Sequence, residues 1–341
     1  MKRLISIILA TLVVLSCLAL VSCDKKENPT GDNTPDATLS LGLGIASAYG
    51  KATNADGETN GSASVSTTAA AVLLDAENKI VKCVIDTVEG KIEYSEKGEL
   101  VAVAEYKTKG ELGKDYGMSA IGKTEWNEQV AALCKLAEGK TIDQVKAWLV
   151  EGGKGNDEVI SAGCTITISD FVTAIEKAVK NAVASNATAN DTLSLSFVTK
   201  QEKVANATAD KSGSCEVVAN ISAAVVGTDG KTVAIKSDCA ATKFAFSAAG
   251  VAETDITAAI ATKRELGKDY NMAAYGTDLN EDGVVKEWFE QADIFDAACI
   301  GKNADEIAAL AVDGYGVESV QTAGCTIAIS DLVATAIKAI K

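Results

Sequence analysis

Hydrophobic and polar residues follow the same order twice along this chain. Each copy begins with runs in which apolar and polar residues alternate, or in which apolar residues cluster, and both patterns are typical of strands. Turns rich in Gly, Asn and Asp separate these runs, which span 38–45, 63–74, 79–85, 192–198, 216–226 and 232–237. Amphipathic helical stretches follow in both copies. This order predicts an α+β fold, with helices packed on one face of a mainly antiparallel sheet in each copy.

Each copy ends in nearly the same segment, which reads Ala-Gly-Cys-Thr-Ile-x-Ile-Ser-Asp at 162–170 and 323–331. The alternation in this segment predicts a short strand after the Gly turn. Ser169 and Ser330 suit the N-cap of an apolar terminal helix, because a hydroxyl oxygen there can accept a hydrogen bond from a free backbone N–H. A hydroxyl held between a Gly turn and a helix start is well placed to meet a phosphate group. Thr165 and Thr326 are therefore candidate ligand-binding residues.

The two copies agree most closely at three segments that occur in the same order. The first contains Glu-Leu-Gly-Lys-Asp-Tyr, the second contains Trp-x-x-Gln with a later Gly-Lys, and the third is the Gly-Cys-Thr turn. Loop and helix-end segments that stay alike while the strands differ are expected of a binding site spread over several elements, although duplication with shared packing gives the same pattern. The repeat predicts two tandem homologous domains, at 38–187 and 192–341.

The start of the chain has the features of a bacterial lipoprotein signal. Two basic residues precede an apolar run, and Leu-Val-Ser-Cys resembles a lipobox, which predicts a signal peptide at 1–22 and a lipid thioether on Cys23. The alternative is a transmembrane helix, for which the apolar run is at or below the usual length. Residues 23–37 are polar, hold both prolines and predict a flexible tether. We therefore expect a protein anchored by lipid to the cell membrane on its extracytoplasmic side.

Composition excludes several classes of function. The chain has no histidine, which removes Ser-His-Asp and Cys-His catalysis and His-ligated zinc or haem. A net charge of -15 without a basic cluster argues against nucleic acid as a partner. There is no Cys-x-x-Cys pair, so the cysteines behind the signal predict small buried residues better than a disulfide framework or a thiol redox motif.

The order of the three segments resembles the FMN-binding domain family, which occurs in electron-transport subunits of the Rnf and Nqr type and in flavin-carrying surface lipoproteins. That family carries an E-T-P-G-L-G-like segment, then W-x-x-Q-F-x-G-K, then S-G-A-T before a helix. In the family, the last threonine can be joined to FMN by a phosphoester that a dedicated flavin transferase forms. By position, the resemblance makes Thr165 and Thr326 the acceptors.

The resemblance also implies roles for the residues around the two threonines. Gly163 and Gly324 would leave room at the turn, Cys164 and Cys325 would adjoin it, and Leu112-Gly113 and Leu266-Gly267 would approach the ring or the phosphate. Trp126 and Trp288 would stack on the flavin and Gln129 and Gln291 would bond a ring carbonyl. Lys114 or Lys268 would help to neutralise the phosphate. The alternatives are a core position for the tryptophans and buried cysteines, and a solvated surface position for the glutamines.

One feature occurs only in the second copy. Asp278, Asn280 and Asp282 have the spacing with which an EF-hand calcium loop begins, and a Gly follows. The bidentate Glu expected at the twelfth position is replaced by Phe289. Calcium and a plain Asp/Asn/Gly turn are both consistent with this segment.

The leading hypothesis from the sequence is a membrane-anchored flavolipoprotein that relays electrons through one FMN in each domain. Such a protein is an electron carrier rather than an enzyme with catalytic residues of its own, since the cofactor supplies the redox chemistry. Its expected partners are a redox protein of unknown identity and a secreted flavin transferase. The alternative is a tandem-repeat surface lipoprotein that binds a protein or glycan or serves as a structural module.

Overall fold

The structure is a computed structural model that describes residues 38–274 and 285–341. Three predictions lie outside the described residues. These are the signal peptide with Cys23, the tether at 23–37 and the calcium ligands Asp278, Asn280 and Asp282.

The first repeat contains β1 (Leu39–Thr53), β2 (Gly61–Leu74), β3 (Ile80–Tyr94), β4 (Glu105–Tyr106), α1 (Lys109–Leu112), α2 (Trp126–Ala137), α3 (Ile142–Lys146), α4 (Asp157–Ser161), α5 (Ser169–Lys180) and β5 (Val183–Ala187). The second repeat contains β6 (Thr192–Ala205), β7 (Gly213–Val226), β8 (Thr232–Phe246), α6 (Lys263–Leu266), α7 (Trp288–Cys299), α8 (Ala304–Ala308), β9 (Ala311–Val312), β10 (Tyr315–Gly316), α9 (Glu318–Thr322) and α10 (Ser330–Ile340). Short 3₁₀ turns follow α1 and α6. The α+β class predicted from the sequence is confirmed.

Each repeat builds one antiparallel sheet from three long strands. The strand orders are β3-β2-β1-β5 and β4-β6-β7-β8. The registers of the two sheets match pair by pair, since Gly61 faces Tyr94 in the first sheet and Gly213 faces Phe246 in the second. All six long strands extend beyond the predicted runs, by two or three residues in β2 and β7 and by seven to nine residues in the other four.

The middle strand of each sheet is buried on both faces. In β2, Ala70, Val72 and Leu74 pack with the helices of the same repeat. The alternate residues Ala71 and Leu73 pack in a second core that includes residues of β6, β7 and β8. The described part of the chain is therefore layered as helices, sheet, sheet and helices.

This layering changes the predicted organisation of the chain. Helices do cover one face of each sheet, as expected, but the other face packs against the sheet of the other repeat. Leu41 and Leu73 of the first sheet share that core with Phe197 and Ile221 of the second. Contacts accordingly group residues 36–341 into a single compact unit. The ranges 38–187 and 192–341 are thus repeats whose sheets share a core within this unit.

The contacts between the repeats are reciprocal. The Ala55 N–H donates to Gly250 O, and the equivalent Ala207 N–H donates to Gly98 O. Lys177 pairs with Glu265, and the equivalent Lys338 pairs with Glu111. The Tyr94 and Phe246 rings, which occupy equivalent positions, stack with centroids 4.7 Å apart. Such reciprocity is the property of a two-fold symmetric interface.

Candidate functional site

The threonine turn of the first repeat is held by a buried glutamine. Gly163 adopts φ 106°, a conformation that glycine tolerates readily, and reverses the chain after α4. The Thr165 N–H and Oγ1–H both donate to Gln129 Oε1, at 2.8 and 3.0 Å. Gln129 Nε2 donates in turn to Thr124 O at 2.9 Å. Gln129 is 1% exposed, so its predicted role as a ligand to a ring carbonyl is wrong, and its amide fixes the threonine.

The second repeat has the same arrangement with one additional bond. Gln291 Oε1 accepts from Thr326 N at 2.8 Å, from Thr326 Oγ1 at 3.2 Å and from Ile327 N at 3.1 Å. Its Nε2 donates to Lys286 O at 2.7 Å. Gln291 is 0% exposed, which corrects its predicted role in the same way. Gly324 has φ 105°, and the Lys286 side chain lies close to its Cα.

The segment after each threonine differs from its prediction. The expected strands reduce to single bridges, between Thr167 and Lys154 and between Ala328 and Tyr315, because no neighbouring strand continues the ladder. Ser169 and Ser330 are the first helical residues of α5 and α10, and not the N-caps. The preceding residues are isoleucines with no side-chain acceptor, so the first-turn N–H groups of both helices lack a capping side chain.

The Glu-Leu-Gly segment begins with a capping box. Thr108 accepts from the Glu111 N–H at 3.1 Å, and the Glu111 carboxylate accepts from the Thr108 N–H at 2.8 Å. Thr262 and Glu265 repeat both bonds in the second copy. The glutamate of each Glu-Leu-Gly segment therefore caps the start of a short helix, α1 or α6. This capping fixes the lysine that follows each threonine, Lys109 or Lys263.

Two equivalent cavities lie on the helix side of the two sheets. The cavity of the first repeat has a volume of about 600 Å³ and that of the second about 620 Å³. Each is lined by a threonine of the Gly-Cys-Thr turn, a lysine, a tyrosine, a methionine, a tryptophan and an aspartate. These are Thr165, Lys109, Tyr116, Met118, Trp126 and Asp170, and Thr326, Lys263, Tyr270, Met272, Trp288 and Asp331. The volumes lie within the ordinary range for small-molecule and cofactor sites.

The two tryptophans line the cavities but do not offer free ring faces. Trp126 is 4% exposed and Trp288 is 5% exposed. The Lys109 ammonium lies 5.8 Å from the Trp126 ring centroid, and the Lys263 ammonium lies 5.1 Å from that of Trp288. The core alternative therefore describes the tryptophans better than a flavin-stacking role, and an ammonium group lies near each indole ring.

Several other predicted residues lie away from the cavity linings. Cys164 and Cys325 are 0% exposed, and burial raises the pKa of both thiols, to about 12 for Cys325, so both remain neutral. Neither the glycines of the threonine turns nor the Leu-Gly pairs line the cavities, and these are Gly163, Gly324, Leu112, Gly113, Leu266 and Gly267. Gly113 and Gly267 instead end α1 and α6 with φ 51° and 54°. Lys114 and Lys268 are also absent from the linings.

Sequence reasoning missed the cavity lysines and aspartates. Lys109 and Lys263 directly follow Thr108 and Thr262, so the match between the copies extends two residues further towards the N-terminus than Gly110 or Arg264. The capping box was the available signal. Asp170 and Asp331 were recognised only as the last residues of the repeated segment at 162–170 and 323–331.

The described residues contain no group of three or more potential metal ligands. Among the described helices, none combines the length and the apolar character that crossing a bilayer requires. No protein-family model, curated protein or solved structure matches this chain.

Proposed function

We propose that this protein is an extracytoplasmic, lipid-anchored flavoprotein that holds one FMN in each of its two cavities and relays electrons between redox partners. One observation carries the proposal. In both repeats a threonine hydroxyl, a lysine ammonium and the first turn of the terminal helix line the same cavity of about 600 Å³. A hydroxyl, a cation and a helix start in one cavity suit a ligand that carries a phosphate.

The phosphate end of the ligand would meet two sources of positive charge. The first turns of α5 and α10 have no side-chain cap, and the N-terminus of a helix carries a partial positive charge. Lys109 and Lys263 add full charges. For Lys109, burial acts to lower the pKa, but contacts with Glu89 and Tyr116 outweigh it and leave the pKa raised, so this ammonium stays charged at neutral pH.

The ring end of the ligand would meet the apolar part of the lining. Met118 and Ile166 in the first cavity match Met272 and Ile327 in the second. Thioether and branched aliphatic side chains suit a flat aromatic ring, because they add contact area without an unpaired polar group. When bound, the flavin would supply the redox chemistry, and the chain would position it and keep part of it from water.

Attachment of the flavin is a separate question from its binding. The Gln129 amide accepts a hydrogen bond from the Thr165 hydroxyl, and Thr165 is an exposed residue of the cavity lining, which is compatible with esterification. However, Ala162 and Ala323 stand where the resembled family has serine. Tight non-covalent FMN therefore serves the same function if the transferase does not recognise these turns.

The test uses mature protein purified from its native host. We expect yellow fluorescence that stays with the precipitated polypeptide, together with one or two added FMN phosphoesters in the intact mass. Changing Thr165→Val together with Thr326→Val should abolish both signals. The matched control is Thr167→Val, which alters an exposed hydroxyl in the lining of the first cavity and should leave the signals in place.

The remaining outcomes separate the two forms of the proposal. Flavin that is present in the native protein but released on denaturation would identify non-covalent binding. Native protein without flavin, whose apo form also fails to bind added FMN at micromolar concentration, would overturn the proposal. That result would favour the tandem-repeat surface module that binds a protein or glycan.

A further inference from the structure

The two cavity lysines differ in their counter-ions. Lys109 Nζ lies 2.6 Å from Glu89 Oε1, so the first cavity contains a closed ion pair. The matched strand registers place Ala241 of β8 at the position of Glu89. Among the residues that the structure describes, no carboxylate lies within 4.0 Å of Lys263 Nζ.

The carboxylates of the second cavity are engaged elsewhere. Lys200 Nζ lies 2.9 Å from Asp331 Oδ1 and 3.3 Å from Glu202 Oε1. Asn220 donates to the other Asp331 oxygen at 3.4 Å. Both acids are thus bonded directly to Lys200, and neither forms a direct ion pair with Lys263.

The Lys263 ammonium lies near two aromatic rings, as the Lys109 ammonium does in the first repeat. The Lys263 ammonium lies 5.1 Å from the Trp288 centroid and 5.4 Å from the Tyr270 centroid. Burial acts to lower its pKa, but contacts with Cys239 and Tyr270 leave the pKa raised. A charged, half-buried ammonium group that no described carboxylate pairs with favours binding of an anion.

In the first cavity, the lysines without a salt bridge are exposed residues. Lys123 and Lys154 line it without a salt bridge among the described residues, and both are exposed to solvent. Water and salt screen exposed charges far more than half-buried ones. The ammonium groups of the first cavity that lack a salt bridge are therefore exposed and screened, whereas an anion beside Lys263 meets a half-buried ammonium group.

We propose that the second repeat is the tighter site for an anionic, phosphate-bearing ligand, and that Lys263 is the residue that receives the anion. This inference rests on the proposed function and adds which of the two sites is filled first. The presence of Glu89 or Ala241 at one strand position sets the difference.

The test is an exchange of that counter-ion in apo protein produced without flavin. FMN titrations of the unchanged protein should resolve two sites that differ at least tenfold in Kd, and riboflavin, which lacks the phosphate, should show no such difference. Ala241→Glu should weaken the tight site at least tenfold. Glu89→Ala should tighten the weak site by a similar factor, so the double variant should bind FMN tightly in the first repeat.

A second pair of variants tests the same inference in case the first variants do not fold. Circular dichroism checks the folding of every variant. Lys263→Met should remove the tight site, whereas Lys109→Met should weaken only the weak site of the first repeat and leave the Kd of the tight site within threefold. Glu93→Ala is the matched control, because its partner Lys91 belongs to an exposed pair outside both cavity linings.

Each outcome bears on a distinct claim. FMN binding with equal affinity at two sites, or binding that Ala241→Glu and Lys263→Met leave unchanged, would overturn the inference and leave the proposed function standing. No FMN binding at either site would overturn both. A tight site that disappears with Lys109→Met instead would assign the anion to the first repeat and contradict the inference.

Discussion

The long helix packs on the third strand in both repeats, as α2 on β3 and as α7 on β8. The side chains that make this contact differ in chemistry between the repeats. In the first, Cys134 of α2 contacts Cys83 of β3 inside an apolar core. In the second, Asp296 occupies the position of Cys134, and Arg264 occupies that of Gly110. Arg264 Nη2 lies 3.0 Å from Asp296 Oδ2, and Nη1 lies 2.8 Å from Asp293 Oδ1.

This comparison shows that the same backbone arrangement does not determine the side-chain chemistry of the contact. The same helix, strand and short α1-type helix accommodate either neutral thiols or a buried network of charges. The thiol pair and the charged network differ in what a substitution costs in stability. Loss of a thiol leaves a small cavity, whereas loss of one charged partner leaves another charge buried and unpaired.

The largest expected effect comes from opening this network. Arg264→Met removes the cation beside Asp296, whose side chain is 7% exposed. We expect a loss of about 3–5 kcal/mol in the free energy of unfolding, as for other buried pairs that lose one member. Urea unfolding measures it. Lys135→Met, at an exposed pair with Glu138, is the control and should cost less than about 1 kcal/mol. Equal losses in the two variants would contradict the view that the buried network matters.

The next effect is a pH dependence that comes from Asp296, which has no acidic counterpart in the first repeat. Burial raises the pKa of Asp296 to about 6, against the opposing influence of Arg264. The folded state therefore holds this proton more tightly than the unfolded state. The corresponding stability is fully present below about pH 4 and falls as pH rises to about 6, by roughly 2–3 kcal/mol.

Asp296→Asn tests this titration, because it should remove that portion of the pH profile. Urea unfolding at pH 4, 5, 6 and 7 measures it for both proteins. The cost of Arg264→Met should also shrink at the acid end, where Asp296 is neutral. Parallel profiles for the unchanged protein and Asp296→Asn would show that another group titrates.

The smallest expected effect is a loss of stability when either glutamine that holds a threonine turn, Gln129 or Gln291, is replaced. Gln291→Leu removes a bond to the N–H of Ile327, a buried residue at which water replaces the lost bond less readily. Gln129→Leu frees the N–H of the exposed Thr165, which water can satisfy. We expect losses of about 2 and about 1 kcal/mol respectively, measured by thermal or urea unfolding. A larger loss for Gln129→Leu would reverse the comparison.

Much of the fold was predictable because strands and helices carry local patterns. The alternating runs located all six long strands, and the apolar periodicity located the terminal helices α5 and α10. The two-sheet core was not predicted. Ala69, Ala71 and Leu73 belong to a continuous apolar run, and such a run does not reveal what packs against its second face.

The candidate site was predicted in part. Thr165, Thr326, Trp126 and Trp288 do line equivalent cavities, because the Gly turn and the helix start have local signatures. The glutamines and cysteines were assigned to the ligand wrongly. Whether a side chain near a turn points into a cavity or into the protein depends on tertiary packing, which spacing along the chain does not encode.

By itself, the sequence determined the repeat, the α+β class, the threonine turns and the absence of histidine chemistry, since each depends on residue identity or on neighbours along the chain. Only the tertiary structure decided that the two sheets share a core and that Lys109 and Lys263 reach the same cavities as the threonines. It also decided that Glu89 neutralises one lysine while Ala241 leaves the other without that partner. The physical reason is that burial and charge pairing are set by residues far apart in sequence, on strands whose register the fold fixes.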